Sequence, residues 1–275
     1  MKCAWKEFLS ILPPWLRTLV DVPGHEDLQE LRLRLNAPPE LVTVSGWSHP
    51  KRSVTKEDLS YCINTASRYS PWAAATISEG YITAPGGHRI GICGEGICKD
   101  DTVTGIREVT SLCIRVARDF PGIGKVALDM TGSILILGAP GWGKTTLLRD
   151  MARQIGERET IGVVDERREL FPDDFMRGNR MDVLSGCPKA QGIDMVLRTM
   201  GPAWIAVDEI TAEADCQGLL RAANCGVRLL ASAHGATSED FRKRAVYAPL
   251  VEQKIFDHLV VLRRDKTCTV ERMYP

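Results

Sequence analysis

In the second half of the chain, short apolar runs alternate with longer stretches in which apolar residues recur every three or four positions. The runs are Ser133-Ile-Leu-Ile-Leu137, Thr160-Ile-Gly-Val-Val164, Ala203-Trp-Ile-Ala-Val207, Val227-Arg-Leu-Leu-Ala231 and Leu259-Val-Val-Leu262. Runs of this length between turn signals predict strands buried on both faces, and periodic stretches such as residues 145–155 predict amphipathic helices. Strands alternating with helices give a parallel sheet with crossover helices, an α/β domain. The last run is expected to pair in a hairpin with Cys268–Met273 through an Asp265-Lys266 turn.

The first half has a different texture. Trp5, Phe8, Leu9 and Leu12 fall on one helical face, and Pro13-Pro14 halts that helix before a further turn or two over Trp15–Val20. Leu31, Leu33 and Leu35 alternate with Arg32 and Arg34, which predicts a strand, and Leu41-Val-Thr-Val44 predicts another. Thr55 followed by Glu57 and Asp58 is an N-cap with an acidic first turn, opening a helix to about Arg68. Strand-like text with many glycines follows at residues 81–83, 89–93 and 112–116. Residues 1–120 thus form an α+β domain, and the Pro/Gly-rich break Asp119-Phe-Pro-Gly-Ile-Gly124 separates it from a second domain, 121–275.

Composition narrows the class. Of 275 residues, 44% are hydrophobic and 25% charged, as in a soluble globular protein. Lys+Arg and Asp+Glu are both 35, so charge gives nucleic acid no support as a bulk partner. Arg242-Lys-Arg244 is a basic cluster, and three such residues read as a solvated face. No apolar run reaches the roughly 18 residues of a membrane span. Met1–Phe8 carries charge where the apolar core of a signal peptide would lie. Nine cysteines, an odd number without C-x-x-C, make no disulfide framework. Cys93 and Cys98 lack a second pair or a histidine cluster and read as buried reduced thiols rather than zinc ligands. A reducing cytoplasm fits.

The chemistry lies at residues 138–145, Gly-Ala-Pro-Gly-Trp-Gly-Lys-Thr, a full G-x-x-x-x-G-K-[ST] loop. Strand, glycine loop and helix N-terminus follow one another, as anion binding requires. Gly138, Ala139, Pro140, Gly141, Trp142, Gly143, Lys144, Thr145 and Thr146 are the expected ATP contacts. The backbone N–H groups would cradle the phosphates, Lys144 would reach the β/γ-phosphates and the Thr145 hydroxyl would ligand Mg²⁺. Trp142 stands where a small or hydroxyl residue is usual, and an aromatic there suits packing on the N-terminal domain.

Ligands of such sheets bind beyond the carboxyl ends of the strands. Three successive strands end in polar groups: Asp165-Glu166-Arg167-Arg168-Glu169, Asp208-Glu209 and Ser232-Ala-His234. Asp208 fits a Mg²⁺-shell carboxylate at the end of an apolar strand. Glu209 fits the group that orients or deprotonates the attacking water. His234 would sense the γ-phosphate or position water. Asp165 and Glu166, with Glu169, have two readings: metal or water ligands, or local partners of Arg167 and Arg168.

The order of these motifs resembles that of the type II/IV secretion ATPases, with Walker A, Asp box, Walker B and His box. An Arg-containing helix, Leu197-Arg198, precedes the Walker-B strand as it does there. A closer resemblance covers the whole chain. Leu31-Arg-Leu-Arg-Leu35, Gly80-Tyr-Ile-Thr83, Gly86-Gly-His-Arg-Ile-Gly-Ile-Cys-Gly94 and Ser111-Leu-Cys-Ile-Arg-Val-Ala-Arg118 are similar to the stage III sporulation protein AA family of endospore-forming bacteria. The resemblance implies a RecA-like P-loop NTPase core with a smaller N-terminal α+β domain. It also implies a cytoplasmic mother-cell ATPase, peripheral at a membrane complex, with ATP and Mg²⁺ as cofactors. Its partners would be membrane proteins of the channel joining mother cell and forespore. It further implies that Arg115 and Arg118 reach the nucleotide from the N-terminal domain, and the expected assembly is a homo-oligomeric ring such as a hexamer. A nucleotide-dependent scaffold and a nucleic-acid-coupled RecA-like ATPase are the alternatives.

Overall fold

The computed structural model describes residues 3–22, 27–43, 46–48, 50–68, 77–172 and 175–274. They fall into two compact units, residues 3–119 with Phe175, and residues 120–172 with 176–274.

In the first unit, helices α1 (Trp5–Ser10) and α2 (Pro14–Val20) precede strands β1 (Glu30–Arg34), β2 (Glu40–Thr43) and β3 (Gly46–Ser48). Val44, the last residue of the second predicted strand, lies outside the described residues. Helix α3 (Lys56–Ala66) opens on a capping box: Thr55 Oγ1 accepts from Asp58 N–H, and the Asp58 carboxylate accepts from Thr55 N–H. Strands β4 (Tyr81–Thr83), β5 (Arg89–Lys99) and β6 (Thr102–Arg115) complete an antiparallel sheet of order β3-β2-β1-β6-β5-β4 among the described residues. Leu31 and Leu33 of β1 join Phe8, Leu12, Leu16 and Leu59 in one core, as the alternation predicts.

The β5–β6 ribbon is longer than its apolar text suggests, and residues 93–99 are exposed. The expectation of buried thiols fails here. Cys93 and Cys98 are free and exposed, because this stretch of ribbon is covered on neither side; Ile97 and Val103 are exposed with them.

The second unit is α/β. Its elements are β7 (Ile134–Gly138), α4 (Lys144–Gly156), β8 (Ile161–Asp165), β9 (Met181–Ser185), α5 (Lys189–Met200), β10 (Trp204–Val207), α6 (Glu213–Asn224), β11 (Arg228–His234), α7 (Ser238–Lys243), α8 (Ala248–Glu252), β12 (His258–Leu262) and β13 (Cys268–Arg272). The strand order is β13-β12-β7-β11-β10-β8-β9, parallel apart from β13. Successive residues of β7 face opposite layers. Leu135 and Leu137 join a core with Ile193, Leu219 and Phe256, while Ile134 and Ile136 join one with Leu148, Met151 and Ile155 of α4. Burial on both faces explains why these strands read as continuous apolar runs.

Candidate nucleotide site at the carboxyl ends of the strands

Four neighbouring strands, β7, β11, β10 and β8, end side by side, so sheet order alone gathers the predicted groups. Gly138 of β7 is the register partner of His234 on β11. Val207, just before Asp208, pairs with Ala231 on one side and Val164 on the other.

The loop after β7 begins as a tight turn. Trp142 N–H donates to Ala139 O at 3.2 Å, with Pro140 and Gly141 between. Gly141 at φ +74° and Gly143 at φ +102° take conformations that glycine alone enters freely. A proline followed by a positive-φ glycine is the chemistry of a type II turn. The chain then enters α4, whose first residue, Lys144, is buried. The Lys144 ammonium has three N–H donors and three acceptors: Gly138 O at 2.9 Å, Ala139 O at 3.3 Å and His234 Nδ1 at 3.1 Å. Burial pushes its pKa down, opposed by the carboxylates of Glu209 and Asp208.

Lys144 has no lone pair to offer, so Nδ1 of His234 is the acceptor and Nε2 carries the proton. Nε2 then donates to Glu209 Oε1. His234 is a bridge from the phosphate-loop lysine to the carboxylate at the end of β10. Glu209 takes φ +44°, a strained conformation for a glutamate. Ser232, fully buried on β11, holds the pair of acids in place. Its hydroxyl donates to Asp208 Oδ1 at 2.7 Å and accepts from Glu209 N–H at 2.9 Å. Asp208 Oδ2 accepts from Thr145 Oγ1 at 2.8 Å.

A hydroxyl and a carboxylate in contact at the start of α4 are a hard-oxygen set of the kind Mg²⁺ takes, completed by phosphate and water oxygens. Among the described residues no three His, Cys, Asp or Glu side chains form a metal cage.

Asp165 and Glu166 line the same recess as Asp208 and Glu209, together with Arg167, Glu169 and Lys189. They differ in what they hold. The Asp165 carboxylate accepts from the backbone N–H of Glu169, Leu170 and Phe171 at 2.8, 2.9 and 3.1 Å. Arg149 of α4 donates to the carbonyls of Leu170 and Glu169. Asp165 and Arg149 together fix the loop that leaves β8. Burial raises the Asp165 pKa to about 6 even against those donors. Glu166 pairs not with Arg167 or Arg168 but with Lys189, which is buried and lies 3.8 Å from Asp215.

In the first unit, Arg115 Nε lies 3.4 Å from Glu30 Oε1, and Arg118 donates to Leu28 O at 2.6 Å. The basic cluster is partly committed within the fold: Arg242 donates to Met273 O at 2.6 Å and Lys243 pairs with Glu239. Ser232, Lys189 and Arg149 are residues the sequence assigned no role. Each acts through a partner brought near by sheet order or helix packing, which spacing along the chain does not encode.

Residues 5–274 match the family model for sporulation stage III, protein AA. The chain belongs to this family. It is 35% identical to stage III sporulation protein AA of Bacillus subtilis, over 98% of this chain and 94% of that protein. It is also similar to the protein SEEDLING PLASTID DEVELOPMENT 1 of Arabidopsis thaliana, 30% identical over 86% of this chain, though it spans only 34% of that longer protein. Among solved structures it is similar to the pilus retraction motor PilT with bound ADP. The TM-score is 0.59 at 15% identity, covering 88% of this chain and 77% of that one. The Legionella pneumophila ATPase DotB gives a TM-score of 0.56 at 15% identity over 89% and 76%. These likenesses establish the RecA-like P-loop fold of secretion and pilus ATPases. Among the described residues no helix is long and apolar enough to cross a membrane.

Proposed function

We propose that this protein is a Mg²⁺-dependent ATP hydrolase whose turnover serves the channel between mother cell and forespore. The observation that carries the reading is the contact of Thr145 Oγ1 with Asp208 Oδ2 at 2.8 Å, across 63 residues of sequence. It joins the start of the phosphate-loop helix to the carboxylate end of β10, where a metal–phosphate must be held. Bound Mg²⁺ would supply charge neutralisation on the β- and γ-phosphates. Thr145 and Asp208 would hold it, and Lys144 would add its own charge.

Hydrolysis needs a carboxylate to orient the attacking water, and Glu209 is the candidate. Lys144 and Glu209 share His234. When Lys144 turns from its carbonyls to a phosphate, His234 loses the donor on Nδ1 and its hold on Glu209 changes. The catalytic carboxylate thus reads whether the loop is filled. On the family resemblance, Arg115 and Arg118 are the arginines proposed to answer the γ-phosphate. The family name supports a sporulation role, and the partners proposed are membrane proteins of the channel, engaged by a homo-oligomeric ring in the mother-cell cytoplasm.

The test is ATP binding by the Lys144→Ala variant. Three polar contacts and the packing of the Lys144 stem on the loop are lost, but the two apolar cores of the unit are untouched, so the fold stays while ATP affinity falls by about 100-fold, the upper end for a buried charge-assisted contact. A folded variant titrating ATP as the wild type does would end the nucleotide reading.

A further inference from the structure

The last hairpin carries a second lysine to the phosphate loop. β12 is the parallel neighbour of β7, with Val261 opposite Leu137, so the turn after β12 leaves the same end of the sheet as the loop. That turn is fixed by its own bonds. Arg263 N–H donates to Thr267 O at 2.9 Å and Lys266 N–H to Arg263 O at 3.0 Å. Asp265 Oδ1 accepts from Thr267 N–H at 3.0 Å and from its hydroxyl at 2.7 Å, which holds the Asp265 carboxyl below its ordinary pKa.

Lys266 itself sits at φ +70°, which a lysine rarely adopts. From there Nζ donates to Gly141 O at 2.5 Å, across 125 residues of sequence. Its Cδ lies 4.0 Å from where a Cβ on Gly143 would stand. The two positive-φ glycines of the loop are therefore both next to this exposed side chain.

Lys144 offers the comparison, since it meets Gly138 O and Ala139 O of the same loop. Each ammonium rests on backbone carbonyls, which carry partial charge. A phosphate oxygen carries far more, so exchange toward it is favourable for either lysine.

We propose that Lys266 is a second polyphosphate-binding cation of this site, reaching the rim of the loop from the β12–β13 turn. The proposal rests on the nucleotide reading above and adds a residue outside the G-x-x-x-x-G-K-T segment. The ligand class is the phosphate chain of a nucleoside di- or triphosphate.

The experiment titrates a fluorescent ATP analogue with Mg²⁺ into the full-length wild type and the variants Lys144→Ala, Lys266→Ala, Lys266→Gln and Lys266→Arg. Lys266 is exposed, so these changes leave the core untouched. Lys266→Ala and Lys266→Gln are expected to bind about tenfold more weakly than wild type. Lys266→Arg keeps the charge and stays within about threefold, and added salt narrows the gap between wild type and Lys266→Ala. Wild-type affinity in Lys266→Ala overturns the proposal alone, provided Lys144→Ala has lost binding. Equal affinities for Lys266→Gln and Lys266→Arg also overturn it, since charge would then be immaterial. A wild type that binds no nucleotide overturns the nucleotide reading and this proposal with it.

Discussion

Asp165 and Asp208 end neighbouring strands, yet their surroundings give them different work. Asp208 faces two hydroxyls, Thr145 and Ser232, which leave lone pairs for a cation. Asp165 faces three backbone N–H groups and is buried, so it serves its loop. Its pKa, raised to about 6 by burial, has a measurable consequence. A carboxyl with a raised folded-state pKa contributes stability below its unfolded value near 4 and loses it as pH rises through 6. The size is on the order of 3 kcal/mol. Urea midpoints of wild type and Asp165→Asn, taken from pH 4 to pH 7, should show the wild type losing ground to the variant across that window. Parallel profiles would show that the carboxyl ionises as freely folded as unfolded. The sequence made Asp165 and Asp208 visible as strand-end acids. It did not separate their roles, because the three donors to Asp165 come from how the next six residues fold back.

At the scale of elements, the phosphate-loop helix is held from below. Gly124 N–H donates to Asp150 Oδ2 at 2.5 Å, and a Cβ on Gly124 would stand 2.3 Å from Met151 N of α4. Gly141, by contrast, has open space around the Cβ position and only its φ of +74° to object. Gly124→Ala is therefore expected to lower the unfolding free energy by more than about 2 kcal/mol, because backbone must move. Gly141→Ala should cost about 1 kcal/mol. Chemical denaturation of both variants checks this, and equal losses would mean that α4 yields easily. The apolar runs made the strands flanking the phosphate loop legible, since burial on both faces leaves a continuous signature. β9 is an edge strand with partial burial, and the outer β5–β6 ribbon is exposed on both faces, so neither left a comparable mark.

At the scale of the molecule, the proposed cycle depends on Glu209 as the group that acts on water. Glu209→Gln keeps size and loses basicity, so it should hold Mg-ATP without consuming it. In a ring whose subunits are joined through bound nucleotide, that variant should also favour the assembled form, visible as increased mass by light scattering. A variant that retains ATP yet stays monomeric would remove the ring and leave the hydrolase. The measurement closest to the central claim is phosphate release from Mg-ATP by the purified wild type beside Glu209→Gln, with nucleotide retention followed on the same samples. Steady release is expected from the wild type, and at least about 100-fold less from the variant at undiminished ATP binding, the scale of a lost general base. Release by Glu209→Gln at the wild-type rate would contradict that claim and move the catalytic role to Glu166.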